Sequence, residues 1–88
     1  MLSLPVELAH GQATACLAQL VAGVAQEPIG VVVDAAALQR FDSSALAVLL
    51  ALRRSCIEAD KTLEVRDMPT HLADLATLYG IEGLLPRA

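Results

Sequence analysis

The chain has 88 residues, 56% hydrophobic and 2% aromatic, with a mean hydropathy of +0.58 and a formal charge of -4 at pH 7. That length implies one domain over residues 1–88, with a core of Leu, Val and Ala and no room for a large catalytic cleft. The composition excludes disorder and the scattered Lys and Arg exclude a nucleic-acid footprint, while the lack of a ~20-residue apolar span and of a secretory leader reads as a cytoplasmic protein.

Ser3 to Leu8 alternates, with Leu4, Val6 and Leu8 on one face, and predicts a short first strand that Pro5 weakens before a turn at His10-Gly11. From Gln12 to Ala25, Leu17, Leu20, Val21 and Val24 recur at the spacing of an amphipathic helix. Pro28 restarts the chain, and Ile29 to Val33 runs apolar without alternation, as a central strand covered on both faces would. A second helix is expected from Ser44 to Ala59, then a half-exposed strand from Thr62 to Arg66 with Leu63 and Val65 inward. Pro69 opens a third helix carrying Leu72, Leu75, Ala76 and Leu78, and Gly80 stops it. In the tail, Ile81, Leu84 and Leu85 are expected to pack, with the Tyr79 ring capping the core. Alternating strands and helices imply an α/β fold, a small mixed, largely parallel sheet with helices packed against it. Cys16 and Cys56 lie far apart on predicted helices, form no CxxC and read as buried, reduced thiols, so no metal or other cofactor is implied.

Between the strand closed by Asp34 and the second helix stands Phe41-Asp42-Ser43-Ser44, an acid and two hydroxyls where an apolar helix begins. Such strand-to-helix junctions are where α/β domains commonly bind their ligands. Asp42 or Ser43 is the expected N-cap. One hydroxyl is alternatively a contact or a phosphorylation site, since a phosphate there would meet the positive end of the helix dipole. At about 100° per residue, Leu46, Leu49, Leu52, Cys56 and Ile57 face the sheet, while Ser44, Ala47, Ala51, Ser55 and Glu58 face away, with Ser43, Leu50 and Arg54 along the margin. A solvated face normally carries Lys and Glu. Ala47 and Ala51 instead let another protein approach the backbone closely, and read as the floor of a docking surface. The apolar surplus of so small a domain likewise implies cover by a partner.

The Asp-Ser-Ser-Ala-Leu run at Asp42 to Leu46, after a strand ending in Asp34, resembles the signature of the STAS domain family, which includes anti-sigma factor antagonists and sulfate-transporter tails. The likeness extends over essentially the whole chain. Leu75-Ala76-Thr77-Leu78-Tyr79-Gly80 and the closing Leu85-Pro86-Arg87 resemble the MlaB branch, the STAS subunits of Mla phospholipid transporters. The chain departs from the family in two places: Ala45 stands where Gly is general, and the chain opens at what resembles the family's second strand. Loss of the first strand would leave Ser3 to Leu8 as an open edge, free to pair with another copy in a homodimer or with the partner.

The resemblance implies a noncatalytic cytoplasmic subunit, held at the inner membrane through its partner without inserting into the bilayer. It would bind and stabilise or activate the ATPase of an ABC transporter that maintains outer-membrane lipid asymmetry. Partner-binding residues would be Ser43, Ser44, Ala47, Leu50, Ala51 and Arg54, beside the third helix. Ser43 matches the hydroxyl residue at the ATPase surface in that branch. Ser44 matches the phosphorylated residue of the antagonists, whose partner is an anti-sigma factor serine kinase. Hydroxyls at both positions leave the two branches open on the motif alone, and the C-terminal likeness favours Mla. An enzyme using Ser43 or Ser44 with His10 or His71 as base is disfavoured: there is no GxSxG elbow and no Gly-rich loop, and the hydroxyls are expected to be engaged in capping.

Overall fold

A computed structural model describes residues 1–88. Strands β1 (Leu2–Ser3), β3 (Gly30–Asp34) and β5 (Thr62–Arg66) form a parallel sheet with β3 in the middle, and β2 (Glu7–Leu8) pairs in parallel with β4 (Arg40–Phe41). The C-terminal tail runs along the free side of β5: the Val65 amide donates to the Pro86 carbonyl at 2.8 Å and the Ala88 amide to the Val65 carbonyl at 3.0 Å. This is the predicted small α/β architecture.

Register decides which side of the sheet is covered, because residues paired across a ladder point to the same face. Leu2, Val33 and Val65 form one row, and Val31 with Leu63 another. Val31, Val33 and Val65 are fully buried and Leu63 nearly so. The alternate rows, Ser3-Asp34-Arg66 and Val32-Glu64, are half-buried or exposed. The sheet is therefore covered on one face only, which corrects the expectation of a strand covered on both. Three successive valines hide an alternation that the partner rows reveal, and Ile29 lies before the strand, 72% exposed.

Helices α1 (Ala13–Val24), α2 (Ser44–Glu58) and α3 (Thr70–Leu78) lie on the covered face. Leu20 and Val24, Leu46, Leu49 and Leu52, and Leu72 and Ala76 join the strand valines in a single cluster of 19 buried residues, so all three helices share one core. A Cβ on Gly23 would lie 2.8 Å from Leu2 Cδ2; its absence lets α1 settle onto β1. Lys61 Nζ donates to the Val24 and Glu27 carbonyls at 2.7 and 2.6 Å, covering the C-terminal end of α1.

Both later helices end with a left-handed residue and two backbone bonds that satisfy their last carbonyls. After α2, Asp60 has φ 59, its amide donates to the Ile57 carbonyl and the Lys61 amide to the Cys56 carbonyl. After α3, Gly80 has φ 71, its amide donates to the Thr77 carbonyl and the Ile81 amide to the Ala76 carbonyl.

Several packing expectations are corrected. The first strand splits at Pro5, so Leu4 and Leu8 point into the core while Val6 is 44% exposed, its carbonyl accepting the Gln39 and Arg40 amides. Ile57, Leu78, Tyr79 and Leu84 are exposed; Leu85 is the buried residue of the tail. Cys56 is buried and Cys16 half-buried, both free, with burial pushing each thiol up. No helix is long and apolar enough to cross a membrane.

Candidate functional site

Two carboxylates shape the connection from β3 to α2. Asp34 Oδ1 accepts the Ala36 amide at 3.0 Å, turning the chain out of the sheet. Asp42 Oδ1 accepts the Ser44 amide at 2.8 Å, Oδ2 accepts the His10 amide at 3.2 Å, and the Asp42 carbonyl takes the Ala45 amide at 3.1 Å. Asp42 therefore caps α2. Ser43 already has helical angles, φ -62 and ψ -15, and makes no side-chain cap bond. The expectation that capping engages the hydroxyls is overturned: a single acid fills that role and leaves Ser43 exposed and Ser44 half-buried. The Ser44 amide, above all, holds the Asp42 carboxyl below the usual carboxylate range; the Ser44 hydroxyl adds to this without a full hydrogen bond, and the His10 amide and ring add less.

The faces of α2 follow from its neighbours. Ala45, Leu46, Val48, Leu49, Leu52 and Cys56 are buried. α1 packs against α2, and Ser55 shares a cleft with Val21, Val24 and Ala25. At about 100° per residue, Ser44 and Ala51 lie on this same α1 side, and both are half-buried. The outward stripe is consequently Ser43, Ala47, Leu50 and Arg54, with Leu50 half-buried and the others exposed. Ile57 continues it, 52% exposed where the sequence pattern places it toward the sheet, whereas Glu58 lines the α1 cleft with Ser55.

On the other flank lie α3 and the tail. The Phe41 and His71 rings sit 5.9 Å apart at 43°, tying the start of α3 to the junction. His71, Asp74 and Leu78 recur at i, i+3 and i+7 on the exposed side of α3. Arg53 and Ile57 share a shallow cleft with Leu84. The structure thus sets the predicted Ser43, Ala47, Leu50 and Arg54 in one stripe with Ile57, whose cleft reaches Leu84, while Leu78 is exposed on α3; sequence reasoning assigned all three of these apolar residues to the core. Periodicity held a signal for Leu78, since the buried positions Leu72, Ala73 and Ala76 lie on the other side of the same helix.

A family model described as Mlab, STAS domain, matches residues 1–86. The chain belongs to the STAS family. The match takes in every strand and helix of the fold, and with it the whole of the Asp42–Ser44 junction. Comparison with curated proteins gives no match. In this Mlab-type STAS domain the polar junction opens α2 and adjoins an outward helix face on which small Ser43 and Ala47 stand among Leu50, Arg54 and Ile57, bounded by α1 on one side and by the tail on the other.

Proposed function

We propose that this STAS domain is a noncatalytic subunit that docks on the ATPase of an Mla-type ABC phospholipid transporter and stabilises or activates it. The observation that carries the reading is the outward stripe of α2: exposed Ser43, Ala47 and Arg54 around half-buried Leu50, continued by exposed Ile57. Small side chains there allow close backbone approach, Leu50 and Ile57 offer apolar area, and Arg54 offers a cation to an acid on the partner. A subunit that binds the folded ATPase raises its stability by mass action, with no chemistry of its own. The histidines fit that role: His10 lends its amide to Asp42, and the His71 ring packs on Phe41. The domain would reach the inner membrane through this partner, from the cytoplasmic side.

The alternative reading is an anti-sigma factor antagonist phosphorylated on Ser44, whose amide donates to Asp42 Oδ1. The test is co-purification of the tagged domain with the transporter ATPase encoded in the same genome, with Ala47→Arg as the control. Wild type is expected to retain the ATPase and raise its turnover, and Ala47→Arg to do neither. Retention of a serine kinase with phosphate appearing on Ser44 would replace this reading with sigma-factor regulation.

A further inference from the structure

The tail satisfies β5 on its free side at Val65 but not at Leu63. Successive residues of a parallel strand turn their N–H and C=O groups to opposite neighbours. The Thr62 amide donates to the Ile29 carbonyl at 2.9 Å, toward β3, so Leu63 turns its backbone groups to the free side, as Val65 does. Val65 is met there by the Pro86 carbonyl and the Ala88 amide. In the same register the donor to the Leu63 carbonyl would be residue 86, and Pro86 has no N–H to give. A cleft of about 200 Å³ opens at this point, between Leu63, the C-terminal half of α2 and the turn at Gly83 and Leu84.

Charge and size select the occupant. Arg53 lines the cleft, half-buried, and no carboxylate of the chain answers it: the ion pairs are Met1 with Glu27 and Arg66 with Asp67. Lys61 lines it too, but its ammonium is committed to the Val24 and Glu27 carbonyls. Ile57 and Leu84 give it exposed apolar walls. The cleft is smaller than small-molecule sites, which start at about 300 Å³, and has room for a side chain or two. One uncommitted cation is also far from the clusters of about four or more basic residues that anionic membranes recruit. A guanidinium fits a carboxylate, the walls an aliphatic group and the Leu63 carbonyl a backbone amide. All three are supplied by a short protein segment in which an acidic residue stands beside an apolar one.

We propose that this cleft receives such an acidic and apolar segment from the docked ATPase. Its carboxylate pairs with Arg53, its apolar side chain lies between Ile57 and Leu84, and a backbone amide donates to the Leu63 carbonyl. Ile57 belongs both to the cleft and to the α2 stripe, so one partner surface reaches both. The inference rests on the ATPase reading and adds to it a second contact of opposite charge.

Titration of the full chain with the ATPase encoded in the same genome, at low and high salt, tests it, with thermal unfolding to confirm that each variant is folded. Arg53→Gln should raise Kd about tenfold and flatten the salt dependence. Leu84→Glu, which sets a carboxylate of the chain's own in the cleft, should weaken binding at least as much. Arg66→Gln makes the same charge change on the open face of the sheet and should leave Kd within about twofold. Folded Arg53→Gln and Leu84→Glu variants that bind like wild type, while Ala47→Arg does not bind, overturn the cleft and leave the α2 reading standing. An Arg66→Gln loss equal to that of Arg53→Gln overturns it as a net-charge effect. A loss at Arg53 seen on vesicles of phosphatidylcholine and phosphatidylglycerol, and not on the ATPase, overturns it in favour of a membrane contact. A wild type that binds no ATPase overturns both readings together.

Discussion

The Ser44 amide donates to Asp42 Oδ1 at 2.8 Å, and this bond releases both serine hydroxyls of the junction from capping duty. It also makes the start of α2 sensitive to acid. The Asp42 carboxyl titrates below its ordinary range in the folded chain. Its contribution is therefore present above the unfolded carboxylate value and is lost as pH falls through the folded one. Asp42→Ala is expected to lower Tm by roughly 5 °C at neutral pH, a typical cost for a lost cap in a domain of this size. The gap between wild type and variant should close as pH drops below about 4. Paired thermal melts at neutral and acid pH check this, and a gap independent of pH would refute the cap assignment.

Ala47 and Ala51 stand one turn apart on α2, yet the fold gives them different surroundings. Ala47 is exposed, whereas Ala51 is half-buried on the side of α1. Ala47→Arg should change unfolding free energy by less than about 0.5 kcal/mol while removing partner binding. Ala51→Arg should cost roughly 1 to 3 kcal/mol as well, because its bulk presses on the packed side. Urea unfolding of both variants, alongside the binding assay, separates loss of the surface from loss of the fold. Equal stability of the two would place Ala51 outside the contact with α1.

How far the sequence reveals such differences depends on whether a feature is local. β5 is legible to the residue, because Leu63 and Val65 alternate with Thr62, Glu64 and Arg66. The end of α3 is legible because Gly80 supplies the left-handed stop. β4 is not legible: Arg40 and Phe41 show no period, and they are a strand only because Glu7 and Leu8 lie beside them. The sidedness of β3 escapes for a related reason, since Val31, Val32 and Val33 differ in their ladder partners and not in chemistry. At the site, a helical projection finds Ala47 and Arg54 on the outward face. It misassigns Ala51 and Ser55, because the seating of α1 against α2 is a tertiary fact without a local signal.

Lys61 carries a structural role that its position in a turn conceals. Its ammonium bridges two carbonyls at the end of α1, those of Val24 and Glu27. Lys61→Met keeps the apolar stem and removes the donor, leaving both carbonyls to solvent. The expected loss is roughly 2 kcal/mol, the range for hydrogen bonds made by a charged group at a partly buried site. Urea midpoints should fall with an unchanged m value, since the native fold is retained. A shift worth under about 0.5 kcal/mol would mean that water replaces the ammonium without cost.

Leu72 and Leu78 are both leucines on α3, and the sequence pattern places both in the core. In the fold Leu72 is 0% exposed and Leu78 is 76% exposed. Six residues at about 100° each bring Leu78 round to the side of His71 and Asp74, away from the buried Leu72, Ala73 and Ala76. Leu72→Ala should cost about 2 to 5 kcal/mol, from lost burial and the cavity left in the shared core. Leu78→Ala should change unfolding free energy by less than about 0.5 kcal/mol. If the docking surface extends from α2 onto α3, the same substitution should weaken binding of the ATPase by removing exposed apolar area. Urea unfolding and a binding titration of the two variants therefore give opposite rankings: Leu72 governs stability and Leu78 governs association. A large stability loss at Leu78 would show that its side chain packs inside after all and would withdraw it from the surface.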